Sequence, residues 1–589
     1  MRAALRSMGL RAGLALAAVL VLGTAPSVWA QVLPRASQPT RPLSPPTVPE
    51  QDEPAPDGLA PAPGPAVPDL RAPGSAGPDS FVLRDVTFEG NTVFDAATLR
   101  EVVAPLIDQA ITIDDLEAAR IALTRYYTDR GYVSSGVIIP LPQDVTEGSV
   151  RFQVVEGRLT DIVVSGEGVA DEGRRPGQLS AAFVRRRLML DRDEPLRLDL
   201  VQERFGLLLQ DPAVRRLDGR LLPGISPGET RLEVAVEAAP PVELTLGFDN
   251  FDPPSTGVHR GLFDISLNNI AGVGDVVQLG GEVSRGRQSG DLQVVAPLHP
   301  AGLRAFAGAT VTRTRVIEEP FDALDIESDF TEGRAGLAFD ALRTASTTFT
   351  LDAGVFFARS ETRLLGTRFS FSPGVEDGVA RGTVLRLGQS VLHRRDRIAL
   401  SLRSTVSVGL GLAGATENGG DVPDSQFVSW LGQAFVVGRV HERATLSLSA
   451  SAQLANDALL PFEEVALGGA DTVRGFRETA VAEPNVAFAR LGSEIEMFDL
   501  ALPGRFVLGE APLSRPVSFE PFVAAGIAWP DDGFEDRTLL VGAGADFRWS
   551  PTEASEITLG VGVPVLSDGP LDDDDLRDLR GYVSLSLSF

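Results

Sequence analysis

The sequence of 589 residues contains no cysteine and only four histidines. The absence of cysteine excludes disulfide bonds, thiol catalysis and thiolate metal sites. It also suits an oxidising compartment, where free thiols are a hazard. The histidines have no metal-ligand spacing and lie at His259, His299, His393 and His441. We therefore expect neither a metal ion nor a cofactor.

Positive charge is also scarce, since 53 Lys and Arg face 80 Asp and Glu and the net charge is −27. Nucleic acids attract clustered cations, so no nucleic-acid partner is expected. A P-loop and a G-x-S-x-G elbow are both missing from the sequence. The string GLGLAG at 409–414 follows an alternating strand without a helix behind it, which argues against dinucleotide binding. We expect a protein that is not an enzyme.

Long apolar runs are missing beyond the first 30 residues. Residues 1–30 combine Arg2, Arg6 and Arg11 with an apolar run and small residues ending at Ala30, which is typical of a secretory signal peptide. A membrane anchor is the alternative, but the run is shorter than the ~20 residues that a bilayer requires. Residues 31–79 are rich in proline and are interpreted as a periplasmic linker, with a partner-binding tail as the alternative.

Residues 80–238 contain the pattern strand, helix, helix, strand, strand twice. In the first copy, 80–157, Thr112 and Asp115 have the spacing of a capping box and Gly131 ends the helix. The second copy, 158–238, repeats the order with little sequence identity. We predict two α+β modules in tandem.

Residues 239–589 lose helical periodicity and alternate between apolar and small polar residues. The first strand presents Val242, Leu244, Leu246 and Phe248 on one face, and the last ends at Phe589. Ser, Thr, Gly and Glu on the opposite faces favour a barrel with lipid outside and water inside over a soluble sandwich, which is the alternative. A terminal strand ending in Phe is typical of outer-membrane barrels, so Phe589 is the predicted insertion signal.

Several ordered segments resemble the ShlB/FhaC/HecB haemolysin secretion and activation family, the transporters of two-partner secretion. The resemblance implies two βααββ POTRA modules followed by a transmembrane barrel of 16 antiparallel strands. In the first module, the matching positions include Gly90, Asn91, Gly131, Tyr132, Glu156 and Gly157. The matching segments are FEGN (88–91), YYTDRGY (126–132), IIPLPQDVTEG (138–148), VVEGRL (154–159), LLPGISPGETRLEVAVE (221–237), FDNFDPPSTGVHRG (248–261), LNNIAGVGDVVQL (267–279) and VVAPL (294–298).

The segment LGGADTVRGF (467–476) resembles the superfamily motif on a loop that folds back from the extracellular side into the lumen. The motif residues are Gly468, Gly469, Asp471, Val473, Arg474, Gly475 and Phe476. The resemblance implies that Arg474 faces a carboxylate on the inner wall, because a desolvated Arg requires paired hydrogen bonds. The usual Asp aligns with Ala524 here, so either another acid in the lumen pairs with Arg474, with Glu494 and Glu496 as the candidates, or the loop is held less firmly in this protein. An ordinary Gly-rich hairpin with a solvated Arg is the alternative.

The resemblance further implies a pore in the outer membrane of a Gram-negative bacterium, with its modules in the periplasm. Such a pore recognises the N-terminal secretion domain of one large haemolysin-like or adhesin-like partner and exports it without nucleotide hydrolysis. Lipids and the machinery that inserts the barrel are further expected partners. An assembly factor for other barrels and a passive porin are the alternatives.

The start of the mature chain and an acidic segment near the C-terminus require separate interpretation. The proline-rich start of the mature chain argues against the helical plug that some family members carry. The acidic segment 571–578 is expected to be a solvated loop, with calcium binding as the alternative.

Overall fold

The computed structural model describes residues 80–170, 175–189, 193–419, 422–501, 514–552, 554–569 and 580–589. The expected signal peptide, the linker and the acidic segment 571–578 lie outside the described residues. Of the described residues, one compact unit contains those up to Pro240 together with Ala271–Gly274, and a second contains Pro241–Ile270 and those from Asp275 onward.

The first module has its own core between a sheet and two helices. Its helices are α1 (Ala96–Val103), which runs into a 3₁₀ turn at Ala104–Leu106, and α2 (Ile113–Thr128). Helix α2 begins at the expected capping box, in which the Asp115 amide donates to Thr112 and the Thr112 amide donates to Asp115. The strands are Phe81–Val82, Asp85–Glu89, Ala110–Ile111, Gly136–Ile138 and Ser149–Val155.

The second module repeats this arrangement around a separate core. Its helices are α3 (Ala181–Leu188) and α4 (Leu198–Leu209). Its strands are Arg158–Ser165, Val169–Ala170, Leu179–Ser180, Val214–Pro223 and Glu229–Ala238. In both modules the last strand lies centrally, parallel to the first long strand and antiparallel to the one that precedes it.

Within the described residues, the α-helices all lie in the two modules, and a 3₁₀ turn at Phe321–Leu324 lies between the strands Leu303–Arg315 and Glu327–Arg343. No helix in the described part of the chain has the length and apolar character needed to cross a membrane.

The second unit is a closed antiparallel barrel, which contains sixteen strands within the described residues. The strands are β1 (Val242–Asp249), β2 (Arg260–Asn268), β3 (Val276–Val283), β4 (Arg287–His299), β5 (Leu303–Arg315), β6 (Glu327–Arg343), β7 (Thr347–Leu364), β8 (Val379–Arg395), β9 (Ile398–Leu410), β10 (Val428–His441), β11 (Ala444–Ala455), β12 (Asn485–Ala501), β13 (Ser514–Trp529), β14 (Thr538–Thr552), β15 (Ser555–Asp568) and β16 (Arg580–Ser588). The predicted fold class is confirmed.

The barrel turns its apolar side chains outward. Val242, Leu246 and Phe248 on β1 are 54%, 41% and 42% exposed, although a soluble protein buries such residues. The interior instead holds buried charged pairs such as Arg304 with Asp340, whose oxygen lies 2.8 Å away. This pattern agrees with the expected lipid-facing exterior and polar lumen.

The barrel closes where β16 meets β1. The Phe589 amide donates to the Leu244 carbonyl at 2.8 Å, and the Leu244 amide donates back at 3.1 Å. The Phe589 side chain is 69% exposed on the outside of this seam. Its role as an insertion signal stays a prediction.

Candidate functional site: a loop inside the barrel

The long loop at 456–484, between β11 and β12, packs against the inner wall of the barrel. Two of its short strands, Val465–Leu467 and Val481–Glu483, form a hairpin. Val473 and Phe476 are 0% exposed. They share a core with the inward-facing wall residues Val486, Phe488, Ala524, Ala528 and Leu540. The lumen therefore contains a fixed loop.

The glycines of the loop motif are required by its backbone. Gly468, Gly469 and Gly475 all have a positive φ, which side chains other than glycine rarely tolerate. A Cβ atom on Gly475 would lie 2.3 Å from the backbone of Val563 on β15. Asp471 of the same motif is exposed.

Arg474 is held against the inner wall. Its Nη1 donates to Asp546 on β14, and its Nε donates to the Ala470 carbonyl at 3.0 Å. The guanidinium carbon also lies 4.9 Å and 5.4 Å from the ring centroids of Tyr582 and Phe522. Since Arg474 is 8% exposed and Asp546 is 2% exposed, this is a buried ion pair.

The expectation that Glu494 or Glu496 pairs with Arg474 is wrong. Glu494 accepts instead from Arg548 at 3.3 Å, and Glu496 is exposed. Ala524, at the position of the usual Asp, faces Gly542 on the neighbouring strand. The carboxylate that Arg474 requires is supplied further along that strand, by Asp546.

Asp546 is shared between the loop and the wall. Its second oxygen accepts from Arg490 on β12 at 2.9 Å, and Arg490 lies 3.4 Å from Glu520 on β13. Sequence reasoning missed both Asp546 and Arg490. The signal was present, because Asp546 lies in phase with Gly542 and Gly544 on an alternating strand and therefore faces the lumen.

The loop is also held at two other points. Glu463 accepts from Arg386 on β8 at 2.8 Å, and Arg477 donates to Glu318 in the connection between β5 and β6. Strands β8 and β14 are well separated around the barrel. Charged contacts therefore fasten the loop to distant parts of the wall.

The wall carries glycines where the loop approaches it. A Cβ atom on Gly542 would lie 1.9 Å from the Arg474 carbonyl oxygen, and one on Gly562 would lie 2.7 Å from the Arg474 Cβ. Real Cβ atoms do not approach other atoms so closely, so a side chain at either position would clash with the loop where it is docked.

In the first module, the residues matched to the family lie around Glu156. This carboxylate accepts from the amides of Thr92 and Val93, at 2.8 Å each, and from the Tyr127 hydroxyl at 3.1 Å. The turn is fixed further because the Asn91 side chain donates to the Phe94 carbonyl at 2.8 Å.

The neighbouring glycines and Tyr132 complete this cluster. Gly90 has a φ of +83°, and a Cβ atom on it would lie 2.4 Å from the Val154 carbonyl oxygen. Gly157 leaves room for the Ser134 backbone, and Gly131 has a φ of +90°. The Tyr132 ring packs edge-on against Phe94 at 5.8 Å. The motif therefore stabilises the module.

Glu156→Gln is expected to lower the free energy of unfolding of the first module by about 2–3 kcal/mol. The NH₂ group of the Gln side chain would face N–H and O–H groups that now donate to a carboxylate oxygen. Urea unfolding of residues 80–238 measures this loss. Glu147→Gln is the matched control, since Glu147 is exposed. An equal loss in both variants would contradict the role of Glu156.

Acid should weaken the same contact. Burial raises the pKa of the Glu156 carboxyl, but hydrogen bonds from Thr92, Val93 and Tyr127 outweigh burial and hold the pKa below its usual value. The stabilisation is therefore complete above the unfolded pKa of about 4.3 and is lost as the pH falls through the folded pKa. The difference in the free energy of unfolding between wild type and Glu156→Gln should become smaller below about pH 4.

Comparison with known proteins agrees with both units. The family model for haemolysin secretion/activation protein ShlB/FhaC/HecB matches residues 228–490, and that for the ShlB-type POTRA domain matches residues 81–157. The chain belongs to the ShlB/FhaC/HecB family. The outer membrane transporter CdiB of Escherichia coli is 26% identical over 453 residues, which are 73% of this chain and 71% of CdiB.

Two solved structures show the fold of this ShlB/FhaC/HecB member. CdiB from Escherichia coli aligns with a TM-score of 0.60 at 21% identity, covering 91% of this chain and 95% of that one. BamA from Haemophilus ducreyi lacking POTRA domains 1–3 aligns with a TM-score of 0.53 at 12% identity, covering 87% of this chain and 100% of that one.

Family membership confirms the predicted transporter of two-partner secretion in the outer membrane, with modules in the periplasm. The alternative of an assembly factor for other barrels is not favoured.

Since the chain reaches β1 from the periplasm, odd-numbered strands run toward the cell surface. The loop at 456–484 follows β11 and therefore starts from the cell-surface end of the barrel.

Proposed function

We propose that this barrel exports one large partner protein, of the haemolysin or adhesin kind, as an unfolded chain and without nucleotide hydrolysis. The observation that carries the proposal is the Arg474 loop, which is fastened inside a closed barrel with a polar lumen. A pore that served only as a passive channel would have no use for two folded modules before its first strand.

The modules capture the partner's N-terminal secretion domain through a sheet edge. Within the described residues, the ten-residue strand Val214–Pro223 pairs on one side only, with Glu229–Ala238. An edge strand offers unpaired amide and carbonyl groups. An extended segment of the partner can add to that edge, with main-chain hydrogen bonds supplying the affinity.

The outer surface of the barrel binds membrane lipids through its exposed apolar band, and the barrel assembly machinery inserts it. The terminal strand β16 with Phe589 is the segment proposed to be recognised by that machinery. Its exposed position at the seam supports this proposal, because the side chain points away from the lumen.

Deleting the gene should remove one large protein from the cell surface and medium, and that protein should accumulate behind the outer membrane. Quantitative proteomics of medium, outer membrane and periplasm measures this, with a complemented strain as control. Unchanged secretion would contradict export. A general fall in unrelated outer-membrane barrels would instead support an assembly factor.

A further inference from the structure

The outward face of β5–β8 changes abruptly from apolar to charged near the cell-surface end. On β7, the exposed Phe357 is followed on the same face by Arg359. On β5, Val311 is followed in the same way by Arg313, whose side chain is 75% exposed. Alternate residues share a face, so the charged row lies directly above the apolar band.

Four arginines at this level share two carboxylates. Glu361 accepts from Arg359 at 2.8 Å, Arg363 at 2.6 Å and Arg368 at 2.9 Å. Asp329 pairs with Arg363 at 2.9 Å and with Arg313 at 3.3 Å. With Arg381, these residues form what we call the arginine cluster. The cluster carries a surplus of positive charge in a chain whose net charge is −27.

The arrangement of Arg359 and Arg381 is unfavourable in the protein alone. These residues lie directly opposite each other on β7 and β8, and like charges in that position are destabilising. Arg381 is exposed, and within the described residues no carboxylate lies within 4.0 Å of it. An anion placed between the two guanidinium groups would relieve the repulsion.

Two features point to a phosphate that is attached to acyl chains. All 53 cationic side chains of this protein are arginine, and the guanidinium group binds phosphate with two parallel hydrogen bonds. The apolar row at Val311 and Phe357 begins two residues below, about 7 Å along the strand. A free phosphate ion would leave that row unused.

We propose that the arginine cluster binds the phosphate groups of a phosphorylated glycolipid of the outer leaflet, of the lipid A type. The phosphate lies between Arg359 and Arg381, and the acyl chains lie against Val311 and Phe357. The site anchors this side of the barrel to the outer leaflet and does not depend on which protein is exported.

Native mass spectrometry of the purified full-length protein with added lipid A tests the proposal. The double variant Arg359→Gln/Arg381→Gln should bind lipid A with an affinity at least about tenfold lower than that of wild type. Dephosphorylated lipid A should bind wild type as weakly as the double variant binds lipid A. Arg395→Gln is the matched control, because Arg395 is exposed at the other end of β8, and it should bind like wild type.

Equal lipid A binding by wild type and the double variant would overturn the proposal, as would equal binding of the dephosphorylated lipid. Displacement of lipid A by an equal concentration of inorganic phosphate would show a free-anion site instead. If the double variant does not yield a folded barrel, Arg381→Gln replaces it. Arg381 makes no ion pair within the described residues, so its loss leaves the carboxylates of the cluster paired.

Discussion

Arg474→Ala should reduce export of the partner by at least about tenfold while the barrel still inserts. The substitution removes the hydrogen bonds from Arg474 to Asp546 and to the Ala470 carbonyl, and the loss of a hydrogen bond to a charged group costs the docked loop about 1.5–3 kcal/mol. The buried carboxylate of Asp546 on the barrel wall remains paired, because it keeps its 2.9 Å contact with Arg490. Secreted partner is measured against the amount of heat-modifiable barrel in the outer membrane.

Asp546→Ala should be more harmful than Arg474→Ala. It leaves both Arg474 and Arg490 without their shared carboxylate, so barrel stability should fall together with export. Asp457→Ala is the control within the same loop, because Asp457 lies outside the motif and is exposed, and it should export normally. Wild-type export by Arg474→Ala would show that the loop has no special role.

The sequence predicts the barrel well because alternation is a local signal. Residues such as Val242 and Phe248 on β1 show which face is apolar, without knowledge of any neighbouring strand. The same holds for the capping box at Thr112, whose two partners are three residues apart. Predictions of this kind depend only on residues that are close in the chain.

Contacts between strands are harder to predict because they depend on register. Alternation places Ala524 in the lumen but does not show that Asp546 is the carboxylate nearest to Arg474, 72 residues away in the chain. The expectation for Glu494 failed for the same reason, since Arg548 on another strand occupies that carboxylate. Glu156 likewise reaches Thr92 across 64 residues, which no spacing rule reveals.

Gly542→Val should also prevent docking of the loop, although it leaves every charged group in place. A Cβ atom at this position would lie 1.9 Å from the Arg474 carbonyl oxygen, so either the loop or β14 must move. Overpacking in a tight interior costs about 1–3 kcal/mol. Export should fall strongly, and limited trypsin digestion of the purified protein should cut more readily within 456–484.

Gly290→Val is the matched control, because a Cβ atom there has nothing within 4 Å, and it should export normally. If export needs the docked loop, both Arg474→Ala and Gly542→Val prevent docking, the first by removing an ion pair and the second by a steric clash. Their effects should then not add, since neighbouring residues that act on one element are coupled. A double variant that exports much less than either single variant would show that the ion pair and the glycine wall act on different steps.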